Sequence, residues 1–369
     1  MVVLKKPRRP DYSLAKVYRP IALLNTMAKI LSSCIADSIT YITETHNLLP
    51  PTHFGGRPGR STMDSIHLLT KFVHDTWAHP RDKYISILFL DVKAAFPSVV
   101  VEKLLHNMHL KGIPPKYTAW YHERLKGRRT ALTFDDFTSD PFLIPMGLDQ
   151  GCPLSPIALL FYNTDLINIT KHSRDKLGLG FIDDTAFATR GKDFEEANEK
   201  LREIMESDDG ALAWGRRHEA EFKLDKMALI CASRGRKLDP NNRGKSTPLP
   251  RPPIHIQGHR VEPTKSYKFL GVIIDEELKF RDHAAYVIAK GTKYVLACGR
   301  MTRASKGVRG NIMKKLYESV AIPKMLYTIN VWGTELLRRG RGKREKGWGL
   351  RGFAKQIDKV QRMALLLIT

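Results

Sequence analysis

The stretch YISILFLDV (84–92) limits the possible folds of this chain more than any other: it is short, almost wholly apolar, and ends beside a carboxylate, Asp91. Lacking the alternation of a half-exposed strand, it predicts a strand covered on both faces. A carboxylate at the end of such a strand is costly to bury without a partner. A second acidic feature, Asp183 with Asp184, stands in GFIDDTAFAT (180–189), a pattern that predicts a β-hairpin with two carboxylates at its tight turn. Taken alone, an aspartate after a strand is commonly a turn or cap residue bonding nearby amides, and an acidic pair in a turn is equally ordinary. Their joint presence beside two apolar strands marks a candidate site for divalent cations, which favour oxygen ligands and need only one or two carboxylates when substrate phosphates supply the rest.

Charge indicates the partner. Lys and Arg number 61 against 38 Asp and Glu, a formal +23, and this excess concentrates polyanions, making nucleic acid the expected partner. An anionic membrane surface is the weaker alternative, and a merely solvated basic surface a third. The 369 residues, 42% hydrophobic, suffice for a large core divided into two or three subdomains. Cys34, Cys152, Cys231 and Cys298 lie far apart, with no spacing for a zinc site or a disulfide framework, which suits a reducing compartment. Residues 1–10 carry no apolar core of a secretory signal, and no run is long enough to span a membrane. The cluster Lys5, Lys6, Arg8 and Arg9 reads weakly as a nuclear address. The expected location is intracellular, with a nuclear site of action.

Along the chain, Ile21, Leu24, Met27, Ile30, Leu31, Ile35 and Ile39 form one apolar stripe and predict a helix over 18–49. A Gly/Arg-rich loop (54–61) precedes a second helix through Met63, Ile66, Leu69 and Phe72. Helices are expected at 101–110, 153–170 and 194–214, and two strands around Asp135–Asp136. Residues 223–232 and 267–275 read as strands, 281–327 as mostly helical with basic faces. The segments 233–253 and 338–352, rich in Arg, Lys, Gly and Pro, read as a mobile insertion and a disordered basic loop.

At this point the sequence resembles a known family. FLDVKAAFPSV (89–99), GLDQGCPLSP (147–156) and GFIDD (180–184) resemble successive catalytic blocks of reverse transcriptases. YRPIALLNTMAKI (18–30), FGGRPGRSTMDSI (54–66) and YKFLGVIID (267–275) resemble the flanking blocks of non-LTR, LINE-type retrotransposons. The six blocks run in the family's order over roughly three-quarters of the chain. The resemblance implies an α+β right-hand polymerase of fingers, palm and thumb, with an antiparallel palm sheet and a helical thumb. Fingers and palm would occupy 1–280, including the insertion 233–253; the thumb and connector would occupy 281–369.

It further implies an RNA-directed DNA polymerase extending a DNA primer on an RNA template with deoxynucleoside triphosphates and two Mg2+ ions (Mn2+ as a substitute). Asp91 and Asp183 would bind metal, with Asp184 beside them. Phe96 would be the steric gate that leaves no room for a 2′-hydroxyl; by residue type alone it reads equally as a core Phe. Arg19 and Arg57 would meet the triphosphate or template through their planar forks, although either alone would read as a solvated surface arginine. Gln150 would lie beside the nascent base pair, and Lys226 would protonate the leaving pyrophosphate. Their plain readings are a loop amide and a solvent-facing lysine. Phe269, Leu270 and Gly271 match the primer-grip turn, and otherwise read as a buried strand with a bulge.

Several residues depart from the family pattern. Pro97 stands where Asp is common, Asp149 where Pro is, Cys152 where Ser is, and HFGGRP where QFGFRP is typical. A carboxylate at Asp149 is expected to repel incoming phosphates. No endonuclease segment precedes the blocks and no RNase H acidic cluster follows them, so a fragment of a longer element polyprotein is expected. The rival readings are a catalytically degenerate nucleic-acid-binding remnant and, against the LINE-like wording of the flanking blocks, a group II intron or retron-type polymerase.

Overall fold

A computed structural model describes residues 1–7, 9–93, 95–238, 246–301, 307–333 and 352–368. They form two compact units, Met1–Pro263 and Thr264–Thr369. Arg8 of the basic cluster, 239–245 of the insertion and 338–351 of the C-terminal basic loop lie outside the described residues.

The first unit is organised on an antiparallel sheet of β1 (Tyr84–Asp91), β2 (Lys176–Phe181), β3 (Asp184–Gly191) and β4 (Ala228–Ala232), in the order β4-β1-β3-β2. Residues 85–90 of β1 are all buried, as the apolar run predicts. Helices α1 (Thr26–Thr45), α2 (Thr62–Ala78), α3 (Val101–Leu110), α4 (Ser155–Asn168) and α5 (Phe194–Glu206) complete this unit's main packing; α2 and α5 both lie against β1. In α4 apolar residues run all round, and its residues are buried on nearly every side, so it is the central helix of the core.

Several sequence expectations give way to tertiary packing. Tyr18–Ile21 is not helical but a strand antiparallel to Val2–Lys5; α1 begins only after Asn25, whose side chain accepts from the Met27 amide at 2.8 Å. The buried face of α1 is Ser32, Ala36, Ile39 and Thr43, while Met27 is 73% exposed and Ile30 and Leu31 also face water. Helix α1 is in contact with α4. The helix expected over 194–214 is two, ending at Glu206 and resuming at Ala211; between them Gly210 sits where a Cβ would come within 2.9 Å of the Ile204 and Met205 carbonyls. Residues 224–226 form a 3-10 turn, so β4 starts later than the pattern suggests. The two strands around Asp135–Asp136 do form, and 236–238 pairs with 246–248 inside the basic insertion.

The second unit opens with a hairpin of β5 (Ser266–Phe269) and β6 (Val272–Asp275). Its two-residue connection, Leu270 (φ 46°) and Gly271 (φ 89°), has the positive φ at both central positions that a type I′ turn requires. The Tyr327 hydroxyl donates to the Leu270 carbonyl at 3.1 Å, holding the unfavourable leucine conformation in place. Helices α6 (Arg281–Gly299) and α7 (Gly352–Ile368) pack together around a cluster of Val295, Val360 and Ala364 that Met325 of the segment 322–325 completes. Among the described residues no helix is long and apolar enough to cross a membrane.

Candidate active site

Pairing of β1 with β3 places Asp91 directly opposite Asp184, at the end where β2 turns into β3. The turn is only Ile182–Asp183, with φ of 59° at Ile182. Positive φ at the first central position is a conformation usually left to glycine, and a β-branched residue there is strained. Two contacts hold it. The Asn163 side-chain amide on α4 donates to the Ile182 carbonyl at 3.0 Å. Gly55 lies so close that a Cβ there would be 2.5 Å from Ile182 Cγ1. The loop carrying Gly55 is itself bound to β2: the Phe54 amide donates to the Gly180 carbonyl (2.8 Å) and the Gly180 amide to that of Thr52 (3.1 Å).

Arg57 anchors this loop from within. Its guanidinium donates to both Glu44 carboxylate oxygens, at 2.6 and 2.8 Å, and to the carbonyls of Pro50 and His53, at 2.8 and 3.1 Å. At 5% exposure it is a structural clamp and does not present an open fork to phosphate. His53 is fully buried beside it, and burial, followed by the charges of Arg57 and Arg60, pushes its pKa down to about 3.

The three carboxylates differ in electrostatics. Partial burial works against the charge of Asp91, but the ammonium groups of Lys223 (3.0 and 3.1 Å) and Lys226 (3.1 Å) outweigh it and hold its pKa low. Asp183 and Asp184 remain reachable by water, yet crowding by protein raises both. For Asp183, Asp91 adds to the rise, against its own amide, Lys223 and Arg19. For Asp184, burial and then the charges of Asp183 and Asp91 carry it up to about 6. Among the described residues neither carboxylate has a salt-bridge partner.

Lys223 was not singled out from sequence. The signal lay in FKLDKM (222–227): Lys223 hydrogen-bonds its own backbone amide to the Asp91 carbonyl (3.0 Å), and the turn through Leu224–Lys226 then brings the second lysine back to the same carboxylate. Lys226 thus pairs with Asp91 while its side chain stays 59% exposed, so it is both solvent-facing and at the carboxylate.

Other candidates are held near one another by backbone bonds between distant segments. The Leu148 amide donates to the Phe96 carbonyl (2.7 Å), that of Gly147 to Val99 (2.8 Å) and that of Ala22 to Gln150 (2.8 Å). Gly147, with φ of 86°, would place a Cβ 2.5 Å from the Pro97 carbonyl oxygen, so proline at 97 and glycine at 147 pack as a pair. Phe96 and Gln150 are half-buried; Arg19 is exposed on the strand Tyr18–Ile21. Phe269, Leu270 and Gly271 belong to the second unit.

Asp149 is the clearest correction. It is 5% exposed and engaged by Arg124 (3.1 Å) and Arg128 (2.8 Å), so its charge is neutralised inside the fold and is not presented to incoming phosphates.

Carboxylate oxygens and backbone are suited to hard divalent cations. Among the described residues no three carboxylate, imidazole or thiolate groups converge as a preformed metal cage. Two carboxylates completed by substrate phosphates remain compatible with this donor set.

The family described as reverse transcriptase (RNA-dependent DNA polymerase) matches residues 3–274. A probable RNA-directed DNA polymerase from transposon X-element of Drosophila melanogaster is 25% identical over 341 residues, covering 90% of this chain and 34% of that protein. The RNA-directed DNA polymerase from mobile element jockey of Drosophila funebris is 23% identical over 90% of this chain and 35% of its own length. The chain thus spans about a third of the length of these relatives. Among solved structures, a telomerase from Candida tropicalis in complex with a fragment of telomeric RNA aligns at 12% identity and a TM-score of 0.46, over 93% of this chain and 54% of that one.

Proposed function

Because the chain belongs to the reverse transcriptase family, in the branch of non-LTR retrotransposons, we propose that it is the polymerase portion of such an element, extending a DNA primer on an RNA template. The observation that carries this reading is the register of β1 and β3, which sets Asp91 opposite Asp184 with Asp183 in the adjoining turn. The family works with divalent metals. In this reading Asp91 and Asp183, with Asp184 beside them, would hold Mg2+, which would supply charge stabilisation for the attacking hydroxyl and the departing pyrophosphate.

The chain's own groups do the rest. Among the described residues Asp183 and Asp184 have no salt-bridge partner, so their carboxylates stay open to a cation. Arg19, exposed and electrostatically coupled to Asp183, attracts the triphosphate of the deoxynucleotide. Phe96 stands beneath the sugar and Gln150 beside the base pair. Lys226, with Lys223, sits against Asp91 and provides an ammonium proton for the leaving pyrophosphate. The segments 1–280 and 281–369 serve as fingers with palm and as thumb with connector, the turn at Phe269, Leu270 and Gly271 gripping the primer. The product is made where element copies enter the genome, in the nucleus.

The test is primer extension on poly(rA)/oligo(dT) with magnesium, comparing the chain with Asp183→Ala. Extension by the unaltered chain and its loss in the variant are expected. No extension by either, with the duplex still bound, would replace the polymerase by a non-catalytic remnant.

A further inference from the structure

Helix α1 has two faces, and the fold of the first unit uses one of them. Ser32, Ala36, Ile39 and Thr43 are buried. At about 100° per residue, Met27, Ile30, Leu31, Cys34 and Tyr41 fall on the other side of the helix. All five are exposed, Met27 at 73%, Ile30 at 54% and Tyr41 at 72%. Positions 27, 30, 34 and 41 are separated by three, four and seven residues, the spacing of a coiled-coil seam, and Asp37 takes the polar place in it. A continuous apolar stripe facing water marks a surface that another molecule covers.

Charge selects the occupant. The chain carries a formal +23, so two copies repel one another over most of their surface. Helix α1 is different: of its 20 residues only Lys29, Asp37 and Glu44 are charged, and Glu44 is already tied to Arg57. A nucleic-acid strand or an anionic membrane finds no lysine or arginine on the stripe. A second copy finds an apolar seam identical to its own, with no charge to match.

Asp37 selects the direction. A parallel pair would set the two Asp37 carboxylates against each other, whereas an antiparallel pair moves them apart along the axis and opposes the helix dipoles. Covering the stripe on both copies removes on the order of 1,000 Å² from water, the size of a weak, reversible interface.

We propose that α1 is a homodimer surface, two copies of this chain pairing antiparallel through Met27, Ile30, Leu31, Cys34 and Tyr41. The pairing is independent of the polymerase reading, since it uses the side of α1 turned away from the core.

The test is sedimentation equilibrium of the full, nuclease-treated chain over the micromolar range, at low and at high salt. A rise from the mass of one chain to that of two is expected. Association should strengthen at high salt, which screens repulsion between the basic chains and leaves apolar contact intact. Bridging by residual nucleic acid would weaken instead. Met27→Glu combined with Tyr41→Glu is expected to weaken association about tenfold or more, with helix content unchanged because both side chains are exposed. A short bis-maleimide should couple two chains through the exposed Cys34 thiols, and Cys34→Ser should abolish the coupling. The mass of one chain under every condition would overturn the pairing and leave the stripe to a different partner. So would a dimer that the double variant preserves, or one that weakens with salt. The coupling is read on the unaltered chain, so it decides even where the double variant misfolds: doubled mass without coupling at Cys34 would put the contact elsewhere.

Discussion

Asp149 and the pair Asp183–Asp184 are all aspartates in connections between apolar elements, and the fold treats them oppositely. Asp149 is buried between two guanidinium groups. Among the described residues Asp183 and Asp184 have no such partners; both remain in contact with water, burial and Asp91 raise the pKa of each, and Asp183 also raises that of Asp184. The first carboxylate is neutralised by the protein and belongs to the structure. The others retain charge that an external cation can satisfy. Composition cannot distinguish them, but the positions of the arginines do. Arg57 and Arg19 repeat the contrast with the sign reversed: one is enclosed by Glu44 and loop carbonyls, the other is exposed.

Four substitutions would break or sharpen this comparison. Asp183→Ala is expected to reduce primer extension by at least about a thousandfold, equivalent to roughly 4 kcal/mol of transition-state stabilisation, while leaving the urea midpoint unchanged or higher. A variant that lost activity only by unfolding would remove the distinction. Asp149→Ala should do the reverse, leaving two arginines unpaired inside the unit at a cost of about 3–5 kcal/mol in urea unfolding. A stability within error of the parent would show that this carboxylate is not structural. Gly55→Ala tests whether the strained turn is held from outside. Its new methyl collides with Ile182, and a loss of about 1–3 kcal/mol, together with slower extension, is expected. Full activity would mean that the loop does not set the turn.

The smallest effect concerns His53, the neutral neighbour of Arg57. Its folded pKa, about 3, lies below the unfolded value, so its contribution is complete above about pH 6.5 and declines as pH falls from there toward 3. Between pH 7 and 5.5 the parent should lose about 1 kcal/mol relative to His53→Phe in denaturant titrations. Parallel profiles for the two proteins would refute it.

Sequence and structure agree where one short-range pattern determines the outcome. The apolar run ending at Asp91 forms a doubly covered strand, and GFIDDTAF forms a hairpin with its carboxylates at the turn. Agreement fails where partners are distant in sequence. The stripe through Met27, Ile30 and Leu31 has helical spacing but faces water, while Ser32, Ala36, Ile39 and Thr43 form the buried face. Arg57 has the residue type of a phosphate ligand but meets Glu44 of α1, 13 residues earlier. Lys223 was overlooked because its importance comes from Asp91, 132 residues earlier.

The strand and hairpin that carry the acids, the surplus of positive charge and the family were determined by the sequence alone, since each depends on neighbouring residues or on composition. Tertiary structure decided which charges are already satisfied. A carboxylate or guanidinium is neutralised by whatever lies within a few ångströms of it, and for Asp149, Arg57 and Asp91 those neighbours come from other segments of the folded chain.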